Sequence, residues 1–380
     1  MITSSIKQIS NDSPTGLQEL ADVVDEWGSS FGFVHTAAAF TKAANLQRLP
    51  LAAARPLLDR LAGIWDLVVP DAGAQALTNV LWACGKLQYA NAQLWGTTLA
   101  ASTEKMHSKQ VEFVSLDVAN ALHGLANAAV ANRDEVPGVP RAEVEAAVKQ
   151  LAAHMRIIVT HPLLEGVNAQ HVANTLWAFA KLRINPSKAA LNSLLQALAR
   201  PALLESASTQ QLSNSLWAAA EVRQQCGWQP GVGQRVWERL FGEQQIRSLA
   251  DRGAPTEVSN VLIALTRLSL PAAASGAASA PVIMPMAAQQ CVRQLLQGKL
   301  AGDARALVAS SRVAQDSRLN RGDASMLWEV HAWLVLHQLL DGQGLAGLLS
   351  EQLLAEGKAA SAAYHALQEQ QQEQEQQQAT

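Results

Sequence analysis

The chain has 380 residues, enough for two or three ordinary domains or one long repeat array. Hydrophobic residues make up 49 % and charged residues 16 %. A large core is therefore available, and the abundance of Ala, Leu and Gln favours helix over sheet, because these side chains lose little on entering a helix. The net charge is −3 and no run of 18 apolar residues occurs, so no membrane-spanning helix is expected.

Charge is unevenly placed: residues 141–270 hold 13 Lys and Arg against nine acids. That mild basic bias permits a polyanion partner without announcing one. The three cysteines, Cys84, Cys226 and Cys291, are scattered and form no C-x-x-C pair. Neither a zinc site nor a disulfide framework is expected, and a reducing compartment fits.

Residues 1–30 read as a helical lead-in. They carry Asp12, Glu19, Asp22, Asp25 and Glu26, and the first Arg is Arg48, unlike an Arg-rich, acid-poor transit peptide. The expectation is that the protein is not imported or that its leader has been removed.

From residue 31 to residue 270 one pattern recurs. Asn79-Val80-Leu81-Trp82-Ala83-Cys84-Gly85-Lys86-Leu87 returns as Asn174-Thr175-Leu176-Trp177-Ala178-Phe179-Ala180-Lys181-Leu182. It returns again as Asn214-Ser215-Leu216-Trp217-Ala218-Ala219-Ala220-Glu221-Val222. Weaker copies start at Asn120, with His123 in the Trp place, and at Asn260, with Ile263 there. A worn copy is read from His35, another at Ser325-Met326-Leu327-Trp328, and the unit is near 40 residues. The Pro/Gly stretch 136–140 reads as an insertion.

Each unit reads as two helices. Helix B opens on a capping signal, such as Asn168 or the box Ser208-Thr209-Gln210-Gln211. Val172 with Leu176, and Leu212 with Leu216, share a buried face at a spacing of four. The cation seven after the Asn lies in the last turn, where it favours the helix dipole. Helix A precedes it, at 189–198, 232–241 and 289–300. Neither helix buries its apolar face alone, so the expected fold is all-α, an α-solenoid of stacked hairpins.

The repeated Trp82, Trp177, Trp217 and Trp328 have two readings: stacking on bases, as aromatics do in single-strand recognition, or filling the core between hairpins. Their fixed place beside the Leu pair favours the core. The repeated Asn residues either read a base edge or bond a neighbouring backbone group, and the second is expected. A base-reading position should keep its place and vary in identity. The third place before the Asn does so, with Asp117, His171, Gln211 and Glu257; the fourth gives Gln75, Gln170 and Gln210. The bland alternative is an ordinary solvated first turn. Lys86, Lys181, Arg183, Arg223 and Arg267 are candidate phosphate contacts, although as helix-end cations they already have a structural reason.

Residues 271–286, rich in Ala, Ser and Pro, read as a flexible linker. Residues 287–366 read as a degenerate repeat with further helices, and residues 367–380 as a Gln-rich disordered tail. Gly342-Gln343-Gly344-Leu345-Ala346-Gly347 matches G-x-G-x-x-G, but no strand precedes it, so a loop is expected. The nine His residues form no H-x-x-x-H pair, and no nucleophile elbow or P-loop occurs. No enzyme, cofactor, metal or small-molecule substrate is expected.

The Asn-Thr-Leu-Trp-Ala-Phe-Ala-Lys-Leu motif in units near 40 residues resembles the octotricopeptide repeat proteins of green algae, over residues 31–340. The start, Ile2-Thr3-Ser4-Ser5-Ile6-Lys7, is similar to theirs. Leu327-Trp328-Glu329-Val330-His331-Ala332-Trp333 is similar to the segment leading into a RAP domain in relatives, although the Gln-rich end stands where that domain would begin. The resemblance implies a single-stranded RNA-binding protein of the chloroplast, or alternatively the mitochondrion, acting in transcript processing, stability or translation. By analogy with repeats that read one base each, the array would cover roughly five to seven nucleotides. The competing expectation is a protein–protein scaffold within an organelle ribonucleoprotein or ribosome. A nuclease is the weakest, because no acidic metal-binding cluster is seen.

Overall fold

The structure, a computed structural model, describes residues 2–46, 50–109, 111–228 and 230–269, together with positions 291, 295, 328–332, 335, 344, 351, 354–363 and 366. Among these residues the fold is all helical and no strand occurs; the sole bridge pairs Val136 with Val139 in the insertion between two helices. The expected linker 271–286, helix A at 289–300 apart from positions 291 and 295, the glycine pattern at 342–347 apart from Gly344, and the tail 367–380 lie outside the described residues.

The chain forms two compact units, residues 1–197 and 198–380. The division falls inside the region expected to be one array.

The first unit opens with α1 (Ile2–Gln8) and α2 (Gly16–Trp27), both packed on α3 (Phe33–Asn45). The lead-in is therefore part of the core: Ile6, Leu20 and Val24 are buried, and Lys42 of α3 donates to the carbonyl of Ile9 at 2.7 Å. Then come α4 (Leu51–Val68), α5 (Ala74–Leu87), α6 (Ala92–Ser108), α7 (Ser115–Ala131), α8 (Arg141–Thr160), α9 (Ala169–Leu182) and α10 (Lys188–Leu198), whose last residue lies past the division. Two layers result. The B helices α3, α5, α7 and α9 lie side by side in chain order, and the A helices α4, α6 and α8 form the second layer. Each A helix packs against its neighbour in that layer and against the B helix before it (α3, α5 and α7), so the contacting hairpin runs B then A and not A then B as expected.

The sequence explains this layering. Each B helix is rich in Ala and small residues on the faces that meet its neighbours, so backbones approach closely. At Gly85 an added Cβ would lie 2.8 Å from Gly124 Cα, and at Gly124 it would lie 2.8 Å from the Trp82 backbone nitrogen. The A helices supply the bulk: Trp65 and Trp95 are fully buried, their indole N–H groups satisfied by Thr98 Oγ1 at 2.8 Å and the Tyr89 carbonyl at 3.0 Å.

The second unit contains α11 (Pro201–Ser206), α12 (Thr209–Cys226), α13 (Gln234–Leu240), α14 (Glu243–Arg252) and α15 (Pro255–Ser269). Here α12 and α15 make the close B-type pair, with α14 against both. The helix expected at 232–241 is present as α13, but it stops at Leu240 and a separate helix, α14, follows. Gly242 starts that second helix, and a Cβ there would crowd the carbonyls of Glu238 and Arg239 at 3.1 Å.

One register correction follows from the caps. The repeated Asn stands six residues after the N-cap in α5 (Gly73), α7 (Val114), α9 (Asn168) and α12 (Ser208). The N-cap of α3 is Gly32, so its Asn place is Ala38, not His35. The sequence match at Thr36 and Phe40 had set this worn copy three residues early, one helical turn, a shift that keeps apolar residues on nearly the same face.

Candidate nucleic-acid interface

The third place before the Asn is the N3 position of the B helix. In α3, α7, α12 and α15 its side chain turns back on the helix start, whereas α5 has Ala76 there and His171 of α9 reaches Ser115. Asp117 Oδ2 accepts from the Val114 N–H at 3.0 Å, Gln211 Oε1 from the Ser208 N–H at 3.0 Å, and Glu257 Oε2 from the Ala254 N–H at 3.0 Å. His35 does the same for Gly32 at 3.2 Å. These are capping residues, which accounts for their polar and varied identity. Asp117 and His171 are buried, and burial raises the Asp117 pKa and lowers that of His171.

His171 Nδ1 lies 2.9 Å from Ser115 Oγ, which donates its proton to the Gly166 carbonyl at 2.7 Å. The hydroxyl proton is committed to that carbonyl and the serine is buried. The pair staples the start of α7 to the loop before α9, and it does not present a nucleophile.

The fourth place is different. Gln75 and Gln170 in the first unit and Gln210 in the second are all exposed. Spacings of four, three and four along the helix then place the Asn, the Trp and the Lys below each Gln on one face. In α5 this stripe is Gln75, Asn79, Trp82 and Lys86; in α7 it is Leu116, Asn120, His123 and Asn127; in α9 it is Gln170, Asn174, Trp177 and Lys181. The Asn and aromatic places are half-buried throughout.

The repeated Trp residues fill the core only in part: Trp82, Trp177 and Trp217 are half-buried, whereas the fully buried indoles, Trp65 and Trp95, belong to the A helices. The Asn expectation changes too. Asn120 Nδ2 donates to Asn79 Oδ1 at 3.1 Å, and in the second unit Asn260 Nδ2 donates to Asn214 Oδ1 at 3.4 Å. The amides bond to each other across neighbouring helices, not to backbone.

Two of the aromatic places in the first unit are in contact. The His123 and Trp177 rings lie 5.1 Å apart, centroid to centroid, tilted by 38°. Lys86 Nζ sits 4.9 Å from the Trp82 ring centre and donates to Asn45 Oδ1 at 2.8 Å. Lys181 Nζ sits 5.8 Å from the Trp177 ring centre. Burial, and then the Lys86 charge, hold the His123 pKa below its ordinary value, so the ring is neutral near pH 7.

The five candidate phosphate contacts divide. Lys86 and Arg183 are exposed and Lys181 is half-buried. Arg183, in left-handed conformation at the end of α9, lies 3.6 Å from the Asp134 carboxylate. Arg223 is buried and donates to the Arg267 carbonyl at 2.7 Å. Arg267 pairs with Glu221, and with Glu329 at 3.1 Å. These last two hold the second unit together and turn no charge outward.

Among the described residues no group of three or more His, Cys, Asp and Glu side chains is placed to hold a metal ion, and no helix is long and apolar enough to cross a membrane. Compared with known proteins, the chain matches no family model and no curated protein.

Proposed function

We propose that the chain is an α-solenoid of helical hairpins that binds single-stranded RNA along the face presented by its B helices. The observation that carries the reading is the side-by-side row α3, α5, α7 and α9, which sets equivalent positions of successive repeats next to one another. A linear ligand can then meet one repeat after another. Gln75 and Gln170 lie exposed at one end of this face and Lys86 at the other, so amide groups able to read a base edge stand opposite a cation suited to phosphate. Of the original candidates, Gln75, Gln170 and Gln210 are the readers this proposal keeps.

The resemblance to octotricopeptide repeat proteins supports the finer reading: selective binding of an organelle transcript, in the chloroplast or alternatively the mitochondrion, with a role in its processing, stability or translation. Selection from a random single-stranded RNA pool at physiological salt tests it. A short enriched motif is expected, weakened when Gln75, Gln170 and Gln210 are changed to Ala. Binding no better than that of a charge-matched control protein would transfer the chain to a protein scaffold role.

A further inference from the structure

We infer that the aromatic ridge of the first unit, formed by Trp82, His123 and Trp177, is a platform on which RNA bases stack while Lys86 and Lys181 take the adjoining phosphates. The inference rests on the RNA-binding reading above. It assigns the affinity to a mid-helix surface, the stacking alternative to the core reading of the repeated Trp residues.

Three observations carry it. The fold can bury an indole completely, as at Trp65 and Trp95, yet the aromatic residue at the repeated position is only half-buried on three successive B helices. The His123 and Trp177 rings, their centroids 5.1 Å apart, form one joint stacking face, beside that of Trp82 on the B helix before them. Second, ammonium groups lie 4.9 and 5.8 Å from the Trp82 and Trp177 ring centres. A phosphate competes well for such a cation, because a charge-assisted hydrogen bond is stronger than a solvent-shared contact with a ring face. Drawing the lysine aside uncovers the ring for a base. Third, the ridge is flanked by the Asn79–Asn120 amide pair and by Lys86 and Lys181, with Leu116 as the exposed aliphatic side chain at the head of the α7 stripe. That surround suits a polyanion with aromatic faces better than the apolar side of a partner helix. Stacking tolerates any base, so the ridge adds affinity without base preference, in contrast to the Gln readers.

The test is binding of fluorescent oligo(U), oligo(A) and an abasic oligomer of equal length by the full chain and its variants. Trp82→Ala and Trp177→Ala are each expected to weaken oligo(U) and oligo(A) alike by roughly tenfold or more, with abasic binding and the salt dependence unchanged. Trp177→Phe is expected to restore most of the loss. Lys86→Ala and Lys181→Ala are expected to weaken all three ligands and to lower the salt slope by about 0.7 each. Circular dichroism and thermal melting identify variants that are merely unfolded, and the Phe variant keeps the test open if an Ala variant is. Unchanged oligomer binding in both Trp→Ala variants, with the wild type binding RNA, overturns the platform but leaves the functional reading standing. A wild-type chain that binds no RNA overturns both and gives the ridge to a protein partner.

Discussion

The Asn120 side chain donates to Asn79 at 3.1 Å, joining neighbouring B helices through two half-buried amides. Asn260 and Asn214 repeat the relation in the second unit at 3.4 Å. An amide side chain both donates and accepts without carrying charge, so Asn on one helix can bond Asn at the same place on the next. Asn79→Ala or Asn120→Ala alone should lower stability by about 1–2 kcal/mol, since each strands its partner. The double variant should cost less than the sum. A double-mutant cycle by urea denaturation measures the coupling, and additive losses would show that the pair does not interact.

Gly85 and Gly124 mark where α5 and α7 come closest. At the place of Gly85 the later copies have Ala180 and Ala220, and at that of Gly124 they have Ala178 and Ala218. An added methyl at either glycine meets backbone, at 2.8 Å from Gly124 Cα or from the Trp82 nitrogen. Backbone cannot swing aside as a side chain can. Gly124→Ala should therefore destabilise the first unit by about 1–3 kcal/mol, against the small gain in helix propensity that Ala brings on an exposed helix. A thermal midpoint equal to or above that of the wild type would refute the close approach.

Much of this fold was legible in the sequence. The helix starts at Asn168 and Ser208 were readable because a capping side chain announces itself, and both accept the expected N–H, from His171 at 2.9 Å and Gln211 at 3.2 Å. The face carrying Val172, Leu176, Leu212 and Leu216 is buried as the spacing of four required. The site was less legible. A variable polar residue at N3 looks the same whether it reads a base or closes a capping box, so Asp117, Gln211 and Glu257 were ambiguous until their hydrogen bonds were known. A Trp at a fixed place looks like core, because periodicity gives the face of a helix but not whether another layer covers it. The division between Ala197 and Leu198 left no mark of composition, since it falls at a helix end among the same Ala and Leu that fill the repeats.

The second unit depends on buried charge where the first carries exposed lysines. Arg267 lies between Glu221 and Glu329, and the Arg267 and Glu221 side chains are about 11 % and 9 % exposed, so the pair is nearly desolvated. Removing one member leaves the others without their counter-charge, whereas an exposed pair would cost little. Arg267→Ala should cost about 3–5 kcal/mol and broaden or split the unfolding transition, while Lys86→Ala should change stability by less than about 1 kcal/mol. Differential scanning calorimetry distinguishes them. Equal and small effects would remove Arg267 from the structural set and return it to the phosphate candidates.

Acid should destabilise the first unit through two histidines, buried His171 and half-buried His123. Burial holds the pKa of His171 below its ordinary value, with the Gly166 backbone partly opposing, and burial together with Lys86 does the same for His123. An unfolded histidine titrates near about 6.5. Above that value neither state holds the proton. Below it the unfolded chain binds a proton that the folded chain refuses, so stability is present above about 6.5 and is lost as pH falls through the folded values. Asp117 acts in the opposite sense: burial raises its folded pKa, so lowering the pH through that value relieves a penalty, but only at the acidic end, nearer the carboxylate range. Stability measured by urea denaturation should thus fall between pH 7 and pH 5, with a slope of at most about 1.4 kcal/mol per pH unit for each histidine. His123→Trp, which restores the residue found at this place in α5 and α9, and His171→Asn should each flatten the slope. A pH dependence that survives in the double variant would place the acid sensitivity elsewhere in the chain.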